Sequence, residues 1–376
     1  MKQMRITNKI KKFIIIIFCI FIGIIFSEKL DVGFAEELSI PSGEGFDVEE
    51  GVDGNLIYSI PVSIYTYQSN TEGKTIVYTG KGYTIGEAKQ DRDKILSKKF
   101  VLGGERVFII SDKQAELGIH ALTDALYNNT NVNDLGIVVV CNGTAEHILN
   151  YKPKGFPNSG EYIEGLVSNL RNNHFFSEDY KLIDVFVREQ AEGRSIVLPY
   201  IELADDNIKA TGMAIFKKDK MIGKINMKDS DILNFLRFNN VKGVLTLQKN
   251  YKEYINYKAQ VKRKVKCTKK NEKYSFIINL DFSGEIISNE LYKDITSKVD
   301  VKKQFEKDMS NKIEFMCNDF INRMKNQYKS DLLELGVVAA AKYGRNTNTD
   351  WDKVIRESEI KVNVNVNVDK FGRGDY

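Results

Sequence analysis

The chain has 376 residues, 42% of them hydrophobic and 28% charged, with 55 Lys and Arg against 51 Asp and Glu. That composition excludes a disordered or fibrous chain, and the length suits two or three domains. The formal net charge of +4 resides in the first 35 residues; from Glu36 onward bases and acids balance, which excludes a generally basic, nucleic-acid-coating body.

Lys2, Arg5, Lys9, Lys11 and Lys12 precede an unbroken apolar run from Phe13 to Phe26. As a helix this run spans roughly 21 Å, short of the roughly 30 Å of a bilayer core. A basic start and an apolar stretch of this length read as an export signal over residues 1–35, or as a short uncleaved anchor. Gly33 and Ala35 supply small residues at −3 and −1 of a cleavage site. Cys19 lies inside the run behind bulky Phe18, where no lipid would be attached. The remainder is expected to face the outside of a membrane. Its cysteines, Cys141, Cys267 and Cys317, are odd in number and expected to be buried as small apolar residues. With no CxxC and only His120, His147 and His174, zinc fingers and zincins are excluded.

Leu56–Tyr67 and Lys74–Thr79 are rich in β-branched and aromatic residues and predict two strands. Thr84 and Glu87 form a capping box opening a helix to about Lys99. Arg106–Ser111 predicts a strand. Ser111 and Gln114 then open a helix to about Tyr127, with Ile119, Leu122 and Leu126 on one face. Leu135–Cys141 is almost wholly apolar, as in a strand covered on both faces. A helix is expected over Ser159–Asn172 and strands over Lys181–Arg188 and Ser195–Ala204. This alternation defines a mixed α/β domain over residues 36–209. Met213–Phe216 and Met221–Ile225 predict a hairpin, followed by a helix over Asp229–Phe238 and a strand near Val244–Gln248, a small middle domain at 210–249. Residues 250–376 form the third. Tyr254–Cys267 and Tyr274–Phe282 are long strands, and apolar residues at steps of three and four from Phe305 to Tyr328 make a long amphipathic helix. A shorter helical stretch covers Leu332–Lys342. Ile360–Val368 alternates strictly, with its valines on one face of a half-buried strand. The fold class is therefore α+β: three mixed α/β-type domains, each a twisted sheet with packed helices, after the export signal.

Gly80-Lys81-Gly82-Tyr83-Thr84-Ile85-Gly86 follows a strand and opens a helix, as a dinucleotide-binding turn does. Its third glycine comes one residue late, so a capped helix start is expected instead. Glu105 stands near the distance of a ribose ligand. No phosphate loop, serine-nucleophile motif or calcium-loop spacing is present, and neither catalytic, metal nor cofactor residues are assigned. The strongest charge feature is Lys249–Lys273, with nine lysines and Arg263 against Glu253 and Glu272. Lys262, Lys264 and Lys266 fall on one face of a strand. That face is a solvated surface, or a contact for anionic headgroups or an acidic partner. Export argues against nucleic acid.

Several stretches resemble one family in order along the chain. They are Glu36–Ile40 with Gly43, Gly45 and Asp47; Gly104–Ser111 with Gly118, Ile119 and Asp124; the Ala210–Gly223 hairpin; and Asp331-Leu332-Leu333 with Leu335, Gly336, Trp351 and Val362–Val368. Together they resemble the Ger(x)C subunits of nutrient germinant receptors in endospore-forming bacteria. The resemblance implies a non-enzymatic protein without cofactors, on the outer face of the spore inner membrane, partnered by integral-membrane subunits. Most members carry a lipidated cysteine before the mature start; here Lys29 stands near that position, so tethering falls to the apolar segment or to partners. An exported α/β enzyme or a solute-binding protein is the alternative.

Overall fold

The computed structural model describes residues 16–18, 37–52, 54–66, 75–345 and 347–372. Apart from residues 16–18, the expected export segment lies outside the described residues, with Cys19, Lys29 and the Gly33–Ala35 cleavage site. Among the described residues no helix is long and apolar enough to cross a membrane.

The first large sheet has eight strands: β1 (Pro41–Glu50), β2 (Leu56–Tyr65), β3 (Thr75–Gly82), β4 (Val107–Ser111), β5 (Ile137–Cys141), β6 (Val197–Ala204), β7 (Asn207–Lys217) and β8 (Lys220–Asn226). Their order is β8-β7-β6-β5-β4-β1-β2-β3. The central four, β1, β4, β5 and β6, run parallel, and antiparallel hairpins flank them. The apolar runs of β4 and β5 are buried almost throughout because helices cover both faces. On one face lie α1 (Ile85–Asp93), α2 (Asp112–Leu117), α3 (His120–Tyr127) and α6 (Leu182–Gln190), burying Ala88, Ala115, Leu122, Leu126, Val185 and Phe186. On the other lie α4 (Ala145–Asn150) and α5 (Ser159–Leu170), burying Ile148, Leu149, Ile163 and Val167.

After α7 (Met227–Arg237) comes a second sheet, ordered β9 (Lys242–Gln248), β10 (Tyr254–Lys270), β11 (Lys273–Asn289) and β12 (Glu359–Lys370). β9 to β11 are antiparallel, and β12 joins β11 in parallel. Between β11 and β12 run α8 (Val299–Arg323), a π-turn over Met324–Tyr328, α9 (Leu335–Tyr343) and α10 (Trp351–Glu357). The face of α8 read from steps of three and four is the buried one at Phe305, Met309, Ile313 and Phe320, and Cys317 joins it where Met316 was expected. It packs on the inner face of the second sheet, where Phe305 meets Tyr257 edge to face at 5.7 Å. One apolar core runs without a break from α4 and α5 through Phe235 and Leu236 of α7 to Phe282 and α8.

β12 lies at the edge of its sheet, yet its free side is not bare. Val364 N–H donates to Glu314 at 3.3 Å and Val368 N–H to Glu306 at 3.0 Å. The match is geometric: eight residues of helix rise about 12 Å, and four residues of strand about 13 Å. Lys302 and Lys325 donate to the carbonyls of Val368 and Ser358. Side chains of the preceding helical segment thus occupy backbone groups that an edge strand would offer to another chain.

The mixed α and β composition is as expected, but several elements are not. Lys181–Arg188, expected as a strand, is helix α6. Its Leu, Ile, Val and Phe content suggested β structure, but Leu182, Val185 and Phe186 have helical spacing and Lys181 N–H donates to the Asp184 carboxylate at 3.1 Å. The helix expected over 111–127 breaks at Gly118, whose φ of 127° admits the β7–β8 turn; Ile119 N–H donates to Asp219 there. α1 stops at Asp93, short of Lys99. The middle domain expected at 210–249 is divided between the sheets. Its hairpin extends the first sheet and β9 opens the second, because the hairpin and β9 find neighbouring strands in different sheets. β1, α4 and α10 were not anticipated.

Candidate functional site

In a parallel sheet, ligands enter where adjacent strands send the chain to opposite faces, at the carboxyl ends of the strands. Here that point lies between β4 and β5: β4 leads to α2 and α3 on one face, β5 to α4 on the other. The crevice is filled by the protein itself. Asp47, at the end of the β1 pairing, accepts N–H bonds from Ala145 at 2.7 Å and Glu146 at 3.0 Å, the first turn of α4. Those are the donors an anionic ligand would use. Burial raises the Asp47 pKa, opposed by these two bonds and by Ser111. Gly45 makes the approach possible, since a Cβ there would stand 2.7 Å from the Ala145 Cβ and from Pro61. Gly43, Gly45 and Asp47 thus seat α4 against β1.

The turn at Gly80–Gly86 is likewise closed. A Cβ on Gly80 would lie 2.0 Å from Ala88 O, and one on Gly82 2.6 Å from the Glu87 Cβ. Both glycines let α1 lie directly on β3. The N–H of Glu87 donates to Thr84 Oγ1 and that of Tyr83 to the Glu87 carboxylate. Glu105 is buried and accepts from Gly103 N–H and Asn133 N–H, holding the loop before β4 to the turn before β5. The cysteines Cys141, Cys267 and Cys317 are free and buried, and burial raises all three thiols. His120 pairs with Glu189 at 2.6 Å on the surface, and His174 lies 3.6 Å from Asp231. Among the described residues no group of His, Cys, Asp and Glu could hold a metal ion.

A dense polar cluster joins the two sheets. Arg237 of α7 is completely buried and donates to Ser195 Oγ at 2.9 Å, Leu332 O at 2.6 Å and Glu334 at 2.6 Å. Glu334 also receives Arg188 and Arg194, each at 3.3 Å. Burial opposes its ionisation, but the three guanidinium groups hold its carboxyl below the ordinary range. Glu334 has φ of 53°, a left-handed conformation costly for a non-glycine residue. Beside it Gly193 and Gly336 meet backbone to backbone: a Cβ on Gly193 would lie 2.5 Å from the Gly336 carbonyl carbon. Trp351 closes over Gly336 and donates its indole N–H to Glu192 at 2.9 Å. An open cavity of about 800 Å³ lies against this junction, lined by residues including Arg194, Lys217, Asp331 and Trp351.

Asp331 sits beneath the cluster, accepting N–H bonds from Leu333 at 3.2 Å and Gly336 at 2.7 Å. Burial raises its pKa to about 6, opposed by the backbone N–H groups of Gly336 and Leu335 and by the charge of Arg237. The folded chain therefore binds more protons here than the unfolded chain between about pH 4 and 6. This group's stabilisation is fully present below that window and lost as pH rises through it. In urea unfolding, the stability of the wild type relative to Asp331→Asn should fall by about 2–3 kcal/mol from pH 4 to 7. A flat difference would mean that the arginines keep the carboxylate ionised throughout.

Lys262, Lys264 and Lys266 alternate along β10 on the outer face of the second sheet, all exposed. Across the strands they meet Asp281, Asn279 and Ile277 of β11, then Asn365, Asn363 and Lys361 of β12. Arg263, on the opposite face, turns inward and donates to Leu333 O at 2.9 Å. The structure thus splits the basic stretch into an exposed row and an inward-facing clamp.

Comparison with known proteins gives a consistent picture. Residues 35–203 match the family model for the spore germination protein N-terminal domain, and residues 211–372 match that for the spore germination B3/GerAC-like C-terminal region. The spore germination protein GerQC of Bacillus cereus is 25% identical over 324 residues, covering 82% of this chain and 86% of the relative. The crystal structure of the GerBC protein covers 89% of this chain and 100% of its own, with a TM-score of 0.52 and 15% identity, a likeness of fold.

Proposed function

We propose that this chain, which belongs to the Ger(x)C family of spore germination proteins, serves as the C-type subunit of a nutrient germinant receptor. In this reading it works on the outer face of the spore inner membrane with integral-membrane subunits. It is held there by its apolar segment or by those partners, and it transmits or stabilises rather than catalyses.

The observation that carries the non-catalytic part of the reading is Asp47. The place where a parallel sheet binds an anionic ligand is taken by the protein's own carboxylate, bonded to the first turn of α4. The stretches that resemble the family serve the same economy of structure: Gly43, Gly45 and Asp47 seat a helix, while Asp331, Gly336 and Trp351 build the junction. Residues used in this way support a scaffold for binding other subunits.

Deleting the gene, in a strain lacking any other receptor of this type, should leave spores that do not lose refractility when given nutrients. Restoring the wild-type chain should recover the response. Normal germination of the deleted strain on every nutrient would reject the assignment.

A further inference from the structure

We infer that the outer face of the second sheet is a docking surface for an anionic lipid bilayer, with Lys262, Lys264 and Lys266 as its central contact row. The inference rests on the membrane address proposed above and adds to it an orientation. Three observations lead to it.

The first is placement. Alternate residues of a strand stand about 6.6 Å apart on one face, and neighbouring strands about 4.8 Å apart. Lys262, Lys264 and Lys266, with Lys270, Lys273 and Lys361, therefore cover one end of a single sheet face, and all six are exposed. The acids interspersed there are Asp281 and Glu359. Among the described residues none of the six lysines enters an ion pair; the pair at the hairpin tip is formed by Lys269 and Glu272.

The second is that, among the described residues, nothing covers this face. α8 and α9 both pack on the opposite, inner face, where Tyr257, Val261, Cys267, Leu280 and Phe282 are buried. The outer face of β12 is a row of exposed asparagines, Asn363, Asn365 and Asn367, with Asn363 donating to Asn279 at 2.9 Å. A lysine field bordered by amides is a surface built to remain wet.

The third is the kind of partner such a face suits. Protein interfaces are depleted in lysine and centred on buried aromatic or arginine anchors. Here the one exposed large apolar side chain within the lysine cluster is Ile277. Base-reading nucleic-acid contacts favour arginine or amide pairs in a groove. A charged planar surface needs only mobile point charges at its distance, which long lysine side chains supply.

Each lysine brought close to an anionic membrane favours binding roughly fivefold, so three together give on the order of 100-fold. The test is co-sedimentation of the full-length chain with vesicles of phosphatidylcholine alone and vesicles containing phosphatidylglycerol. The apolar segment contributes to both, so the ratio isolates the charge-dependent part. The wild type should prefer the anionic vesicles on the order of 100-fold at low salt and lose that preference near 0.5 M salt. Lys262→Gln/Lys264→Gln/Lys266→Gln should abolish most of the preference. Lys98→Gln/Lys152→Gln/Lys154→Gln, equal in charge change but elsewhere on the surface, should retain it. Equal loss in both variants would mean that net charge alone acts, and unchanged preference in the first would mean that the face does not touch lipid; either overturns the inference. So would tighter binding to an acidic polypeptide or a short DNA duplex than to the anionic vesicles. Because vesicle binding requires no spore, its failure would leave the germination role standing, and failure of the deletion experiment would leave a measured lipid face.

Discussion

Arg237→Ala should cost the chain about 3–5 kcal/mol of unfolding free energy, the range seen when one partner of a buried ion pair is removed. Its side chain has no exposed surface. The substitution strips Ser195 and Leu332 O of a donor and leaves the partly buried Glu334 carboxylate with Arg188 and Arg194 alone. It also removes the restraint that keeps Glu334 in its left-handed conformation, so the Asp331–Gly336 segment should come away from α7. The chain contains a single tryptophan, and Trp351 lies over this segment, so urea unfolding followed by its fluorescence reports the junction directly. Arg194→Ala is the comparison: its side chain is one-third exposed, and the loss should stay within about 1 kcal/mol. Equal effects from the two arginines would show that the burial of Arg237 adds nothing.

Gly193→Val should be of similar severity for a different reason. The native φ of 72° disfavours any L side chain, and the new Cβ would meet the Gly336 carbonyl carbon at 2.5 Å, main chain that no rotamer change can clear. Strain of the first kind costs about 1–3 kcal/mol and overpacking adds a further 1–3. Gly155→Val separates the two. Gly155 has φ of 80° but open space around the added atom, so it should show the backbone cost without the collision. Gly193→Val should unfold at a urea concentration well below Gly155→Val, with the tryptophan signal shifted before denaturant is added. Coincident midpoints would mean that the two glycines at the junction can part without loss.

What could be read from the residues was whatever is encoded locally. The apolar run of β5, the spacing of Phe305, Met309 and Ile313, and the alternating valines of β12 each state their own burial. β1 was missed because Pro41, Gly43 and Gly45 look like a loop; the glycines are there so that α4 can lie against the strand. α6 was misread because Ile183, Val185 and Val187 are β-branched, although the face that is buried carries Leu182, Val185 and Phe186. The junction was illegible in another way. Arg237 and Glu334 are 97 residues apart, and Trp351 and Glu192 are 159 apart, so no local window contains a partner for either. The family-like residues were visible as a pattern, while their tasks (a filled crevice at Asp47, a clamp at Glu334) emerged only when the sheets were brought together. The lysine row was placed correctly on one face, but nothing in the sequence distinguished a covered face from an open one.

The parallel pairing of β12 with β11 has a consequence for how the molecule is made. Asn363 stands opposite Asn279, 84 residues earlier, and the other strand neighbour of β11, β10, precedes that gap. At about 5–20 residues per second, synthesis supplies the last strand roughly 4–17 s after its partner. Until then β11 has an open flank, and Glu306 and Glu314 have no strand to hold. The first sheet, all of whose strands precede Met227, has no such wait. Assembly therefore has a built-in sequence, with the N-terminal half able to complete its pairings early. The C-terminal half stays open to rearrangement, and to wrong partners, until β12 arrives.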